Sequence, residues 1–254
     1  MKKYLFTLLL SVQLFGSSKT ELLIVGTTSG YAPYVSLDAK GNYEGFDVDF
    51  ASELAKKLNR KLVLKDCGSM PSLMLALQQK KVDVLIWAIS ITDERSKKMD
   101  MVYYQGQKVT EMPFLFWKKI PEGISVMGDL GKESKWTVSV EAGSFQENVL
   151  KQWPQVSLKQ VDKITDAVME IRFGKSIAAM ADPSLISELT AAYPEIKVLN
   201  LPLKPKDYSL GNGICINKAT PELTIQVQKA TEELIREGKV AELEKKWNLT
   251  PGES

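Results

Sequence analysis

Arg95 lies in Ser90-Ile91-Thr92-Asp93-Glu94-Arg95, a pattern that places it in the first turn of a helix capped by Thr92. A cation there faces the positive end of the helix dipole and gains no structural benefit. Its planar guanidinium can instead make two parallel hydrogen bonds to a carboxylate, each contributing about 1.5 to 3 kcal/mol, a fork that lysine cannot form. A solvated surface arginine is the plain alternative, and local sequence leaves the two level. Asp182-Pro183 starts a helix well, yet Asp182 also ends the strand-like run Ile177 to Ala181, where open α/β sheets hold ligands. Gly143-Ser144-Phe145 precedes another helix, so its amides point toward any anion nearby, although an ordinary Ser cap explains it equally simply. Glu141 follows the run Trp136 to Val140 and is either a solvated loop carboxylate or a partner for a guanidinium or ammonium. Tyr31 and Trp87 are aromatics able to flank a long flat side chain by stacking or cation-π contact.

Other chemistries are excluded by what the chain lacks. There is no histidine, which removes histidine acid/base catalysis, Ser-His-Asp and Cys-His sites and most zinc sites. No cofactor or metal is expected. The 33 basic and 31 acidic residues are interleaved, so no single-sign field attracts nucleic acid or an anionic membrane. Cys67 and Cys215 admit one disulfide in an exported protein, but two small buried hydrophobes are an equal reading.

The elements that position these residues follow an α/β rhythm. Leu22 to Val25 and Leu62 to Leu64 read as strands, and Phe46, Phe50, Leu54 and Leu58 repeat at helical spacing, with Asp47, Asp49 and Glu53 near the helix start matching its dipole. Ser69 can cap a second helix with the stripe Met70, Leu73, Met74 and Leu77, and the apolar run Val82 to Ile91 reads as a strand buried on both faces. The rhythm restarts with strands at Met112 to Trp117, Trp136 to Val140 and around Val156, a helix from Ser144, one capped by Thr165 and one opened by Pro183. A strand at Ile214 to Ile216 and helices from Pro221 to Gly238 and on to Trp247 complete the chain. At the other end, Met1-Lys2-Lys3, an apolar run and Gly16-Ser17-Ser18 form a signal peptide over residues 1–19, too short to span a bilayer. No cysteine stands at the cleavage point, so a periplasmic protein rather than a lipoprotein is expected.

Gly45-Phe46-Asp47-Val48-Asp49-Phe50, with Leu54-Ala55 and Leu58, resembles the signature of bacterial solute-binding protein family 3, the polar-amino-acid-binding proteins that serve ABC importers. Ser90 to Arg95, Gly143 to Glu147 and Asp182 follow in that family's order. The resemblance implies a type II periplasmic-binding-protein fold, an α/β architecture of two lobes with the ligand cleft between them. Residues 20–108 with 207–254 would form a discontinuous first lobe, and 109–206 an inserted second lobe, with crossings near 108–112 and 203–208. A free amino acid is the implied ligand, ABC permease subunits are the implied partners, and a monomer is implied.

Site roles follow from the same resemblance. A zwitterion taken out of water needs each charge paired, because an unpaired buried charge costs several kcal/mol. Arg95 would grip the ligand carboxylate, with Ser90 beside it and Ala88 at the edge of that site. The backbone at Ser144 and Phe145 would add donors from the second lobe, with Gln146 a weaker candidate, and Asp182 would accept from the ammonium. Tyr31, Trp87 and Met70 would wall the side-chain pocket. Phe145 stands where relatives often have Thr or Ser, and Thr28 where relatives that take basic amino acids have Asp. Glu141 falls at the side-chain end, so arginine is the favoured ligand, lysine or ornithine weaker, and glutamine the main rival. An enzyme of dehydratase type on the same fold, with Glu141 as general acid or base, is the alternative class, although no paired catalytic carboxylates stand at a persuasive spacing. The sensing half of a membrane receptor would need a spanning segment that the sequence lacks.

Overall fold

Aliphatic runs bounded by turn formers become parallel strands wherever helices cover both faces of a sheet. A computed structural model describes residues 21–249; the expected signal peptide lies outside them. In chain order the elements are β1 (Leu22–Thr27), β2 (Ser36–Leu37), β3 (Tyr43–Glu44), α1 (Phe46–Lys57), β4 (Lys61–Asp66), α2 (Met70–Gln78), β5 (Val84–Leu85), α3 (Asp93–Lys98) and β6 (Asp100–Gln105). Then come β7 (Glu111–Trp117), β8 (Thr137–Glu141), α4 (Phe145–Leu150), β9 (Ser157–Val161), α5 (Ile164–Arg172), β10 (Ala178–Met180), α6 (Ile186–Ala192) and β11 (Ile196–Pro202). Finally come β12 (Asn212–Ile216), α7 (Pro221–Arg236) and α8 (Lys239–Lys246).

Two five-stranded sheets result, ordered β4-β1-β5-β12-β6 and β11-β7-β10-β8-β9, each the centre of one lobe. In the first, β1 runs parallel to β4 and β5, while β12 is antiparallel to β5 and β6. In the second, β8 runs parallel to β9 and β10, while β7 is antiparallel to β10 and β11. The chain passes from the first sheet to the second between β6 and β7 and returns between β11 and β12. Those two passages touch each other, the Val109 amide donating to the Ser209 carbonyl at 3.0 Å. The tail packs on the first lobe, where Asp49 Oδ2 accepts from Lys246 Nζ and Trp247 Nε1, each at 2.7 Å.

α1 shows how sequence becomes packing. Phe46, Phe50, Ala51, Leu54 and Ala55 form one buried stripe, and Phe50 lies against Tyr104 with ring centroids 4.7 Å apart. Gly45 sits at the helix start with φ of 130°, and a Cβ there would meet the Tyr34 carbonyl oxygen at 2.1 Å. Only glycine meets both demands.

Three expectations are corrected. The run Val82 to Ile91 is strand only at Val84–Leu85; beyond it the chain leaves the sheet but stays buried, so its apolarity reports burial rather than pairing. Ala88 in this stretch takes a left-handed φ of 45°, which no strand permits. The helix expected to be capped by Thr165 begins one residue earlier, at Ile164, behind Lys163. Ser69 does precede α2, but its hydroxyl bonds the Ser72 hydroxyl instead of capping the backbone. β6 and β11 were not singled out in the sequence reading; both are edge strands, as are β4 and β9, which were. Cys67 and Cys215 are separate free thiols. Among the described residues no helix is long and apolar enough to cross a membrane.

Replacing Gly45 with Ala should lower unfolding stability by roughly 2 kcal/mol or more, from left-handed strain plus backbone overlap. Urea unfolding followed by circular dichroism measures it, and an unchanged midpoint would contradict the stated constraint.

Candidate ligand-binding site

The parallel strands of both sheets end at the same cleft. Thr28 follows β1, Ile86 to Ser90 follow β5, Glu141 ends β8 and Asp182 follows β10. This is the crevice beyond the carboxyl ends of the strands, where open α/β sheets present loop groups to a ligand.

On the first lobe, Thr92 caps α3 by accepting from the Arg95 amide at 3.2 Å, which puts the Arg95 side chain back toward the β5 loop. The guanidinium is 6% exposed, and its partners are carbonyls: Nη1 donates to Ser90 at 3.0 Å and Nη2 crosses to Gly143 of the second lobe at 3.2 Å. Among the described residues no carboxylate lies within ion-pair distance of it. Burial accordingly pulls its pKa below the usual arginine value. The fold holds a desolvated cation without supplying its counter-ion.

Asp47 supports the loop beneath. It is 1% exposed, its Oδ2 accepts from the Ala88 amide at 2.8 Å, and its Oδ1 accepts from the Tyr104 hydroxyl at 2.7 Å. Burial pushes its carboxyl up to about 7, against the pull of those two donors. The sequence reading placed Asp47 among the acids at the helix start; the structure keeps it there and buries it. Its place in Gly45-Phe46-Asp47 was the available signal, since a charge flanked by two core phenylalanines at helical spacing points inward.

The second lobe answers across the cleft. Ser144 Oγ accepts from the Glu147 amide at 3.1 Å, while Glu147 Oε2 accepts from the Gly143 amide at 2.6 Å. This reciprocal cap pins Gly143, whose carbonyl meets Arg95. The amides of Phe145 and Gln146, at the start of α4, have no acceptor among the described residues. Asp182 is a cap, as expected, but of a 3-10 turn at Pro183–Leu185 that leads into α6. Both Ser184 donors, amide at 3.0 Å and hydroxyl at 2.6 Å, fall on its Oδ1. Burial raises the Asp182 carboxyl pKa, opposed by hydrogen bonds from Ser184 and Gln146.

The side-chain end is aromatic and acidic. Tyr31 and Trp87 pack with centroids 4.9 Å apart, and Trp87 Nε1 is held by the Thr28 carbonyl at 2.9 Å. Glu141 has no side-chain hydrogen-bond or ion-pair partner among the described residues. Burial, with Asp182, Asp162 and Asp166 adding negative potential against Lys163, pushes its carboxyl up to about 8. Arg95, Ser90, Ala88, Asp182, Glu141 and Gln146 surround one small cavity. Ser144, Phe145, Tyr31, Trp87 and Met70 complete its wall. Thr28 instead lines a small adjoining cavity, which shares Tyr31, Trp87 and Glu141 with the first and adds Asp162 and Lys163. Met70 is both core and wall, since a Cβ on Gly143 would lie 3.3 Å from its Cγ. Asp47 and Asp162 were missed by sequence reading because each acts on a residue distant in the chain, Ala88 and Glu141. Glu147 and Ser184 act on Gly143 and Asp182, four and two residues away, and a local cap pattern was the available signal for both.

Residues 23–250 match the profile of the bacterial extracellular solute-binding proteins, family 3. The chain belongs to that family. This family 3 protein is 30% identical over 234 residues to the probable ABC transporter arginine-binding protein ArtJ of Chlamydia trachomatis, covering 92% of this chain and 88% of that one. It is 31% identical over 264 residues to the arginine-binding extracellular protein ArtP of Bacillus subtilis, covering 97% and 98%. Among solved structures it is similar to a variant of ArgBP from T. maritima, with TM-score 0.78 and 26% identity over 89% of this chain and 94% of that one. An ancestral arginine-binding protein bound to arginine superposes with TM-score 0.75 at 27% identity over 89% and 97%. The structure of an ancestral arginine-binding protein bound to glutamine does so with TM-score 0.75 at 28% identity over 89% and 97%. The two-lobed type II periplasmic-binding-protein fold is thereby established for this family 3 member.

Glu141 yields a prediction about the ligand-free protein. An acid whose pKa is raised by folding stabilises the fold below its unfolded value, near 4.5, and loses that contribution as pH rises through about 8. Glu141→Gln should therefore melt higher than the parent at pH 9, with the difference closing toward pH 5. Calorimetric melting across that range would contradict the assignment if the two curves ran parallel.

Proposed function

We propose that this chain is the extracytoplasmic solute-binding subunit of an amino-acid ABC transporter, which captures free arginine between its lobes, closes on it by hinge rotation and hands it to the permease. It would be exported behind residues 1–19 and act as a monomer without a lipid anchor. The observation that carries the reading is electrostatic. One cavity is lined by Arg95, a guanidinium without a counter-ion among the described residues, and by two carboxylates, Asp182 and Glu141, from the opposite lobe. An α-carboxylate on Arg95 and an α-ammonium on Asp182 would satisfy the first two, and a distal cation would satisfy Glu141. The relatives ArtJ and ArtP, both named as arginine-binding, support that choice.

Roles follow from position. The Arg95 guanidinium would take the carboxylate with its remaining N–H groups, helped by Ser90, the Ala88 edge and the free amides at Phe145 and Gln146. Ser144 would hold those amides in place through its cap. Tyr31 and Trp87, packed on each other, would present one aromatic wall to the flat guanidinium of the ligand, with Met70 closing the aliphatic stem and Thr28 orienting Trp87 through its carbonyl. Micromolar affinity needs about −8 kcal/mol, within reach of two paired charges and an enclosed stem after ordering costs.

Glutamine is the second reading, because a protonated Glu141 can donate to an amide oxygen where an ionised one cannot. The raised Glu141 carboxyl would also suit a general acid in a dehydratase-like enzyme. The names of the curated relatives weigh toward binding without turnover.

Titration calorimetry on Arg95→Ala should show loss of every amino acid alike, and retained binding of any would remove Arg95 from the site. Glu141→Gln should weaken arginine about tenfold to a hundredfold while changing glutamine by less than about threefold. Equal effects on both ligands would favour glutamine as the natural ligand. Arginine affinity should also rise with pH and level off above about 8, since below that value binding must displace the Glu141 proton. Bound arginine should be recovered chemically unchanged, and its conversion would make the protein an enzyme.

A further inference from the structure

Asp47 occupies the second position of α1 and is 1% exposed, yet it does not line the ligand cavity. An acid at an exposed helix start is stabilised by the helix dipole without further help. A carboxylate sealed in the core is different: it must find donors, and a hydrophobe of similar size would fill the same space without that demand. The donors it finds are specific. The Ala88 amide reaches Oδ2 at 2.8 Å from a residue 41 positions away, and the Tyr104 hydroxyl reaches Oδ1 at 2.7 Å from one 57 positions away. The triangle closes on itself, because the Ala88 amide also lies 3.2 Å from the Tyr104 hydroxyl oxygen.

The residue so held is out of the ordinary. Ala88 has φ of 45°, the left-handed region that disfavours any side chain bearing a Cβ. It breaks the strand direction of β5 and turns the chain toward the cleft. Two residues later the Ser90 carbonyl accepts from Arg95 Nη1 at 3.0 Å, so the direction taken at Ala88 decides where the guanidinium rests. Gly45 completes the device at the other end, since the close approach of Tyr34 to its backbone sets where α1 begins and hence where Asp47 points.

We propose that Asp47 is a positioning residue for ligand capture: by hydrogen-bonding the Ala88 amide, it keeps that residue in its left-handed conformation and so aims Ser90 and Arg95 at the ligand without touching it. The inference rests on the amino-acid-binding reading of the cavity for its functional consequence, but the tether itself is testable in the ligand-free protein.

Three variants separate positioning from packing. Asp47→Asn keeps an acceptor for the Ala88 amide and can donate to the Tyr104 oxygen. Asp47→Leu fills the space with no acceptor. Tyr104→Phe leaves the Asp47 to Ala88 bond but removes the donor that orients the carboxylate. Amide hydrogen exchange at Ala88, compared with β12 amides in the same ligand-free molecule, reads the tether; calorimetry with arginine and glutamine reads the consequence. Asp47→Leu should speed exchange at Ala88 at least about tenfold beyond any change in β12 and weaken arginine by at least about tenfold, as loss of a charged hydrogen bond implies. Asp47→Asn should hold both within about threefold. If Asp47→Leu does not fold, Tyr104→Phe should still raise Ala88 exchange several-fold over β12. Unchanged Ala88 exchange in whichever of Asp47→Leu and Tyr104→Phe folds, or Asp47→Asn as damaging as Asp47→Leu, would overturn the proposal. A tether intact by exchange in a parent protein that binds neither arginine nor glutamine would instead overturn the reading of the cavity.

Discussion

Every feature of the cleft depends on one unsatisfied charge. Arg95 is buried with only carbonyl oxygens around it, and a desolvated guanidinium without a counter-ion raises the energy of the fold that holds it. The fold tolerates this because the Ser90 and Gly143 carbonyls take part of the guanidinium's hydrogen-bonding capacity. What remains is directed into an enclosed space with the Asp182 and Glu141 carboxylates on its opposite wall. The same imbalance appears with opposite sign at Glu141, whose carboxyl is pushed up to about 8. Charges kept apart by the scaffold but brought to one cavity make a site that gains most when an ion of complementary pattern enters.

Such a site draws its precision from rigid supports outside it. Asp47 fixes the β5 loop, Glu147 fixes Gly143, and Ser184 fixes Asp182, each by two short hydrogen bonds or by a bond joined to a cap. The supports lie on different lobes, so the geometry is complete only where the lobes meet. Arg95 spans that boundary, so the position of its guanidinium depends on both lobes. Binding to the closed form alone would stabilise it by mass action, in proportion to the logarithm of ligand concentration over Kd.

How much was legible in the chain divides along physical lines. α1 was readable because its apolar residues recur at the helical period with acids first and bases last, and local periodicity survives any tertiary context. The run Val82 to Ile91 misled because continuous apolarity reports burial on all sides, and a buried irregular loop satisfies that as well as a buried strand. The residues around the cavity could be proposed one at a time from their places at element ends and from family resemblance, with Thr28 landing one compartment away from the others.

The sequence by itself determined the α/β rhythm, the helix starts at Thr92, Ser144 and Asp182, and the absence of histidine that excludes whole classes of chemistry. These depend on neighbours within a turn or two, or on composition, and need no folding to be read. Only the tertiary structure decided that Asp47 faces inward to Ala88, that Arg95 has no carboxylate partner among the described residues, and that Glu141 feels the charges of Asp162, Asp166 and Asp182. Those facts are sums over charges and donors that lie far apart along the chain, and burial strengthens each of them by removing the water that would otherwise screen it.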